Sequence, residues 1–182
     1  LCLHAGTLLA AIVYFYKDIR EIVFKKTQVL KTLVVSTLIS GGLGFLLLQL
    51  LKQIEQQIAL TGKIVTALVG LFLIVTGIVQ IKDNNPGTKD MRSISLKDGV
   101  LLGLVQASTV LPGFSRSGLT VGLLLHLGFE KVAALKLSFL AGIPIIFAGN
   151  ILLNLNKVTD LSSGWGLIVS FLVGLASIHF LF

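Results

Sequence analysis

Cys2 is the single cysteine among 182 residues, so the chain can form no internal disulfide and no cysteine cluster for a metal. Acidic residues are scarce as well, eight against fifteen lysines and arginines. All eight (Asp18, Glu21, Glu55, Asp83, Asp90, Asp98, Glu130 and Asp160) fall in polar links or at the ends of apolar runs. A carboxylate base or a carboxylate-held metal therefore has no source inside the apolar segments. Prolines number three (Pro86, Pro112 and Pro144), so long stretches carry no helix breaker. Charged residues make up 13% of the chain, where a soluble domain carries about 25%. That deficit excludes an ordinary soluble fold.

What is present is apolar: 54% hydrophobic residues and a mean hydropathy of +0.96. The net charge of +7 does not point to nucleic acid, because the cations border apolar runs, where they set orientation and meet anionic headgroups. Neither end resembles a signal peptide, and the chain starts inside one apolar run and stops inside another. The expectation is an internal fragment of a longer, all-α, polytopic membrane protein. Apolar segments at residues 1–16, 33–51, 64–81 and 135–155 read as spans, and Trp165 fits an interfacial anchor opening the last segment. Lys17, Arg20, Lys25, Lys26 and Lys31 form a basic link after the first segment.

Two further runs are too short. Residues 99–111 give about 20 Å of helix and residues 119–129 about 16 Å, against a hydrocarbon core of about 30 Å. Pro112-Gly113 breaks the chain between them, so they read as a re-entrant hairpin over 98–129. That topology puts eleven lysines and arginines on one side and three on the other, which makes the richer side cytoplasmic. A faint echo pairs Leu3-His4-Ala5-Gly6 with Phe139-Leu140-Ala141-Gly142 and Val34-Val35-Ser36 with Ile168-Val169-Ser170. Opposite crossing directions make this the pattern of inverted repeats, with residues 1–81 in the first and 135–182 in the second.

Arg116 sits at the hairpin tip. An arginine at membrane depth is costly and marks a functional site by default, although one snorkelling to headgroups would serve no chemistry. Its guanidinium fits a phosphate bidentately, and Ser115 and Ser117 add hydroxyls, either of which could be a nucleophile. Gly113 and Gly118 let successive amides point at an anion, and the second half-helix begins there, with Thr120 in its first turn. Three histidines are weaker candidates. His126 reads as structural or interfacial, and His179 lies in the last segment. His4 fits either a structural hydrogen bond or an approach to the tip.

The stretch Pro112-Gly113-Phe114-Ser115-Arg116-Ser117-Gly118-Leu119-Thr120 resembles the signature of the undecaprenyl-diphosphate phosphatase family, the bacitracin-resistance proteins. Asp90-Met91, Gly103-Leu104-Val105-Gln106, Ser138-Phe139-Leu140 with Ile143-Pro144, and His4-Ala5-Gly6-Thr7 agree in order. The resemblance implies a multi-pass enzyme of the bacterial inner membrane that removes the terminal phosphate of a polyprenyl diphosphate lipid, recycling the carrier for cell-wall synthesis. It implies inverted repeats, each with a re-entrant hairpin, and leaves a homodimer open. Arg116 and Ser115 match the family's functional Arg and Ser, while Ser117, Gly118 and Thr120 match positions that surround the diphosphate. A divalent cation (Mg or Ca) is implied too. Its expected ligands belong to a glutamate-rich motif absent from these residues, so no metal ligand is assigned and this stretch alone is expected not to cleave. Ser40-Gly41-Gly42 and Leu137 depart from the family pattern at positions of packing. A transporter or flippase for a polyprenyl phosphate lipid is the competing reading, since hairpins and inverted repeats also build transporters.

Overall fold

The computed structural model describes residues 2–25, 27–57, 62–81, 87–154 and 164–182. These described residues form eight α-helices in order: α1 (Cys2–Tyr14), α2 (Tyr16–Phe24), α3 (Gln28–Gln57), α4 (Gly62–Ile81), α5 (Leu96–Ser108), α6 (Arg116–His126), α7 (Lys131–Asn154) and α8 (Gly164–Leu181). A 3-10 turn over Met91–Ser93 precedes α5. Among the described residues, four helices are long and apolar enough to cross a membrane, over Gln28–Ile54, Lys63–Gln80, Lys131–Ile151 and Gly164–Leu181. Their outer faces carry bare hydrocarbon, as at Leu38, Ile74 and Phe180, which water would penalise and lipid accepts. The chain is a multi-pass membrane protein.

One difference from the sequence reading lies in the basic link. Residues 16–24 are helical, and α2 packs Ile22 inward while Lys17, Arg20, Val23 and Phe24 stay exposed. Nine residues span only two and a half turns, too few for the 3.6-residue period to stand out against a run of cations. Lys25 pairs with Glu21 across one turn at 3.0 Å.

The contacts divide the chain into two compact units, residues 1–27 with 139–182 and residues 28–138. In the first, α1 and α8 run parallel. The position a Cβ of Gly6 would take is filled by Ser170, and that of Gly174 lies 3.1 Å from Ala10 Cβ. Phe15, Phe139 and Phe182 close the end of this unit, with ring centroids 5.4 to 6.2 Å apart.

The second unit holds the hairpin. Helix α3 packs on α5, α5 on α6 and α6 on α4. Helices α3 and α5 run parallel in close register. A Cβ on Gly99 would lie 2.9 Å from the Thr32 carbonyl, one on Gly103 2.9 Å from the Ser36 carbonyl, and Gly44 faces Val110. Such backbone approach needs glycine. Gly44 lies 16 residues into a 27-residue candidate span, about 24 Å of a 40 Å helix, so the tip reaches just past the middle. At the base, Lys89 and Phe129 form an isolated parallel bridge, in which the Lys89 amide donates to the Gly128 carbonyl (2.9 Å) and the Glu130 amide to the Lys89 carbonyl (3.1 Å). The limbs thus start and finish at one level and turn back at Pro112-Gly113.

Candidate active site at the hairpin tip

The turn is built by α4. Gly113 has φ +105°, a conformation glycine adopts without cost, and its Cα faces the backbone of Val69 so closely that a Cβ would come within 2.7 Å of Val69 Cα and O. Phe114 stacks on Phe72 at 4.3 Å between centroids. The Ser115 amide donates to Thr76 Oγ1 at 3.5 Å. Three consecutive residues of the turn are therefore registered on one helix.

Ser115 then caps α6. Its Oγ accepts from the Gly118 amide at 3.2 Å, which stops the helix at Arg116 and leaves the hydroxyl proton free to donate elsewhere. Gly118 is buried, and the space a Cβ would need there is taken by the Gln80 amide and by Thr76 Cγ2 at 2.7 Å. The Arg116 and Ser117 amides are first-turn donors with no acceptor within the helix. They lie at its positive end, where anions are favoured.

Arg116 is half-buried, and its Nη1 is buried without a hydrogen-bond partner among the described residues. A buried guanidinium donor left unpaired costs free energy until an acceptor arrives. The two open amides of the first turn and the Ser115 hydroxyl are donors as well, a set whose chemistry suits an oxyanion. Ser117 is exposed at this point.

Thr120 is placed differently. It is 1% exposed, and its hydroxyl is committed to the Arg116 carbonyl (2.7 Å), the Ser117 carbonyl (3.3 Å) and Ser138 Oγ (2.6 Å). It faces α7, away from open space. His4 belongs to α1 in the other compact unit, His126 is exposed in the last turn of α6, and His179 of α8 contacts Tyr14 of α1.

Among the described residues no three His, Cys, Asp or Glu side chains converge on a metal position. The residues at the tip are arginine, hydroxyls and amides, a donor set that suits an anion and not a cation, so no metal is assigned to them. An apolar cavity of about 510 Å³ lies between α1 and α8, lined by Leu3, Val169, Val173 and Ile178 among others, and it suits hydrocarbon, not phosphate.

Thr76, Gln80 and Phe72 of α4, and Ser138 of α7, belong to the tip although sequence reasoning named none of them for it. The signal was present for two: Thr76 and Gln80 are polar, four apart and on one face of the otherwise apolar second half of α4.

The family model described as bacitracin resistance protein BacA matches residues 1–182. A protein of Methanococcoides burtonii named undecaprenyl-diphosphatase is 35% identical over 97% of this chain and 71% of its own length. One of Methanothrix thermoacetophila with the same name is 38% identical over 79% of this chain and 54% of its own. A third, from Caldicellulosiruptor bescii, is 34% identical over 98% and 71%. With a match over its whole length, this chain belongs to the BacA family of bacitracin resistance proteins.

Proposed function

We propose that the chain is the membrane phosphatase its relatives are named for, an undecaprenyl-diphosphatase, and that it works on the diphosphate at the tip of the α5–α6 hairpin. The observation that carries this is the buried, unpartnered Nη1 of Arg116 beside the open first turn of α6. The guanidinium fork grips two oxygens of the diphosphate, and the Arg116 and Ser117 amides with the Ser115 hydroxyl take others. These donors are fixed before substrate arrives, so they stabilise charge developing on the transferred phosphoryl oxygens without reorganising. Gly113 and Gly118 hold the backbone that aims them. The polyprenyl chain stays in the bilayer, into whose middle the tip projects.

We place the protein in the cell membrane, where it regenerates the monophosphate carrier for cell-wall synthesis. The divalent cation implied by the resemblance is assigned to no residue of this chain.

The test is Arg116→Lys in the full-length protein, with inorganic phosphate release from undecaprenyl diphosphate measured in detergent. Lysine keeps the charge and loses the fork, so kcat falls by about 10²- to 10³-fold. Near-normal turnover overturns the clamp. A wild-type protein that releases no phosphate in detergent but moves the lipid across sealed vesicles is a carrier, and the phosphatase reading fails.

A further inference from the structure

The buried pair Thr120 and Ser138 obeys a strict proton count. Thr120 Oγ1 has one proton and lies 2.7 Å from the Arg116 carbonyl and 2.6 Å from Ser138 Oγ. Both separations are hydrogen-bond lengths, and oxygens this close need a proton between them. If Thr120 gave its proton to Ser138, its contact with the carbonyl would be two bare acceptors in a buried site. The count closes in one way: Ser138 donates to Thr120, and Thr120 donates to the Arg116 carbonyl. Ser138 is 3% exposed and Thr120 1%, so water does not compete.

The carbonyl at the end of this chain belongs to the same peptide unit as the Ser117 amide. Donation to a peptide oxygen draws charge toward it and makes the N–H on the far side a stronger donor. That amide is one of the two open first-turn donors of α6. The geometry points to Ser138 and Thr120 as positioning residues: a hydroxyl relay from α7 that fixes and polarises the Arg116–Ser117 peptide, so that the Ser117 amide holds a phosphate oxygen in the transition state. Thr120 thereby acts on the diphosphate through the backbone and does not touch it. This rests on the phosphatase function proposed above.

The experiment uses the full-length enzyme and steady-state phosphate release, with kcat and KM resolved, for Ser138→Ala, Thr120→Val, Thr120→Ser and the double variant Thr120→Val/Ser138→Ala. Losing the first donor lowers kcat by about five- to tenfold and moves KM less than about twofold, since the amide bond strengthens with developing charge. Thr120→Val interrupts the relay at its centre and costs at least as much. Thr120→Ser keeps the hydroxyl and retains kcat within about twofold. Because the two act in series, the double variant is no slower than Thr120→Val alone. Active-site concentration is fixed by the folded fraction on size-exclusion chromatography, so a packing defect appears as lost protein and not as lost kcat.

Wild-type kcat in Ser138→Ala overturns the relay, as do losses in the two single variants that multiply in the double. Neither outcome touches the function proposed for the tip, which stands while Arg116→Lys is crippled and the wild type releases phosphate. If the wild type releases none, that function fails, and the relay with it.

Discussion

Helices α5 and α6 begin with the same device and put it to opposite uses. Each opens on a serine cap whose Oγ accepts from the amide three residues on, Ser95 from Asp98 and Ser115 from Gly118, both at 3.2 Å. At α5 the third residue is an acid, and Asp98 returns the bond by accepting from the Ser95 amide at 2.9 Å, closing a capping box. At α6 the third residue is glycine and nothing comes back. The Ser115 amide turns to Thr76 instead, and the helix end stays open on the residue whose guanidinium Nη1 has no hydrogen-bond partner among the described residues. A self-satisfied terminus is a structural stop, whereas an unsatisfied one keeps donors that an anion can meet. Here one side chain separates the two.

The largest effect comes from erasing that distinction. Gly118→Asp gives α6 the residue that closes the box at α5, sets a carboxylate at the proposed diphosphate site and drives a Cβ into Gln80 and Thr76. Phosphate release falls to background, and turnover comparable to wild type would mean that the open terminus is not the site. A smaller loss follows at the tip glycine. Gly113→Ala carries backbone strain of about 1–3 kcal/mol plus a collision with Val69, whereas Gly128→Ala at the hairpin base, φ +86°, carries the strain with nothing nearer than 3.9 Å. Thermal unfolding in detergent should rank Gly113→Ala below Gly128→Ala, the gap measuring how firmly the tip is seated on α4. Equal midpoints would show that the seat contributes nothing. The smallest stability change is shared by the two caps. Ser95→Ala and Ser115→Ala each cost about 1 kcal/mol, yet only Ser115→Ala slows phosphate release. Equal kinetic loss in both would reduce Ser115 to a cap.

The long apolar runs were legible because membrane spans are a matter of length and hydropathy: α3, α4, α7 and α8 cover the segments expected at 33–51, 64–81, 135–155 and after Trp165, whereas the expected span at 1–16 holds the shorter apolar helix α1. The hairpin was legible from two runs too short to cross and a Pro-Gly between them. Arg116, Ser115, Gly113 and Gly118 stood out because an arginine among apolar residues and glycines at a turn carry their reasons locally. Helix α2 was hidden by its brevity. The surroundings of the tip were hidden for another reason: Thr76 lies 39 positions from Ser115, and Ser138 lies 18 from Thr120, so only the packing of helices brings them together. Thr120 shows the limit most clearly, since a motif names a threonine without saying which way its hydroxyl faces.

Helices α3 and α4 follow one another in the chain, yet among the described residues they make no extended contact, because α5 and α6 lie between them. Synthesis runs in the order α3, α4, α5, α6. Both walls of the slot are therefore synthesised before Lys89, and the arginine-bearing loop follows them, fastened at its mouth by Lys89 and Phe129. The costly charge thus follows in the chain both helices that flank its hairpin, so the order of synthesis itself supplies partners for it other than lipid.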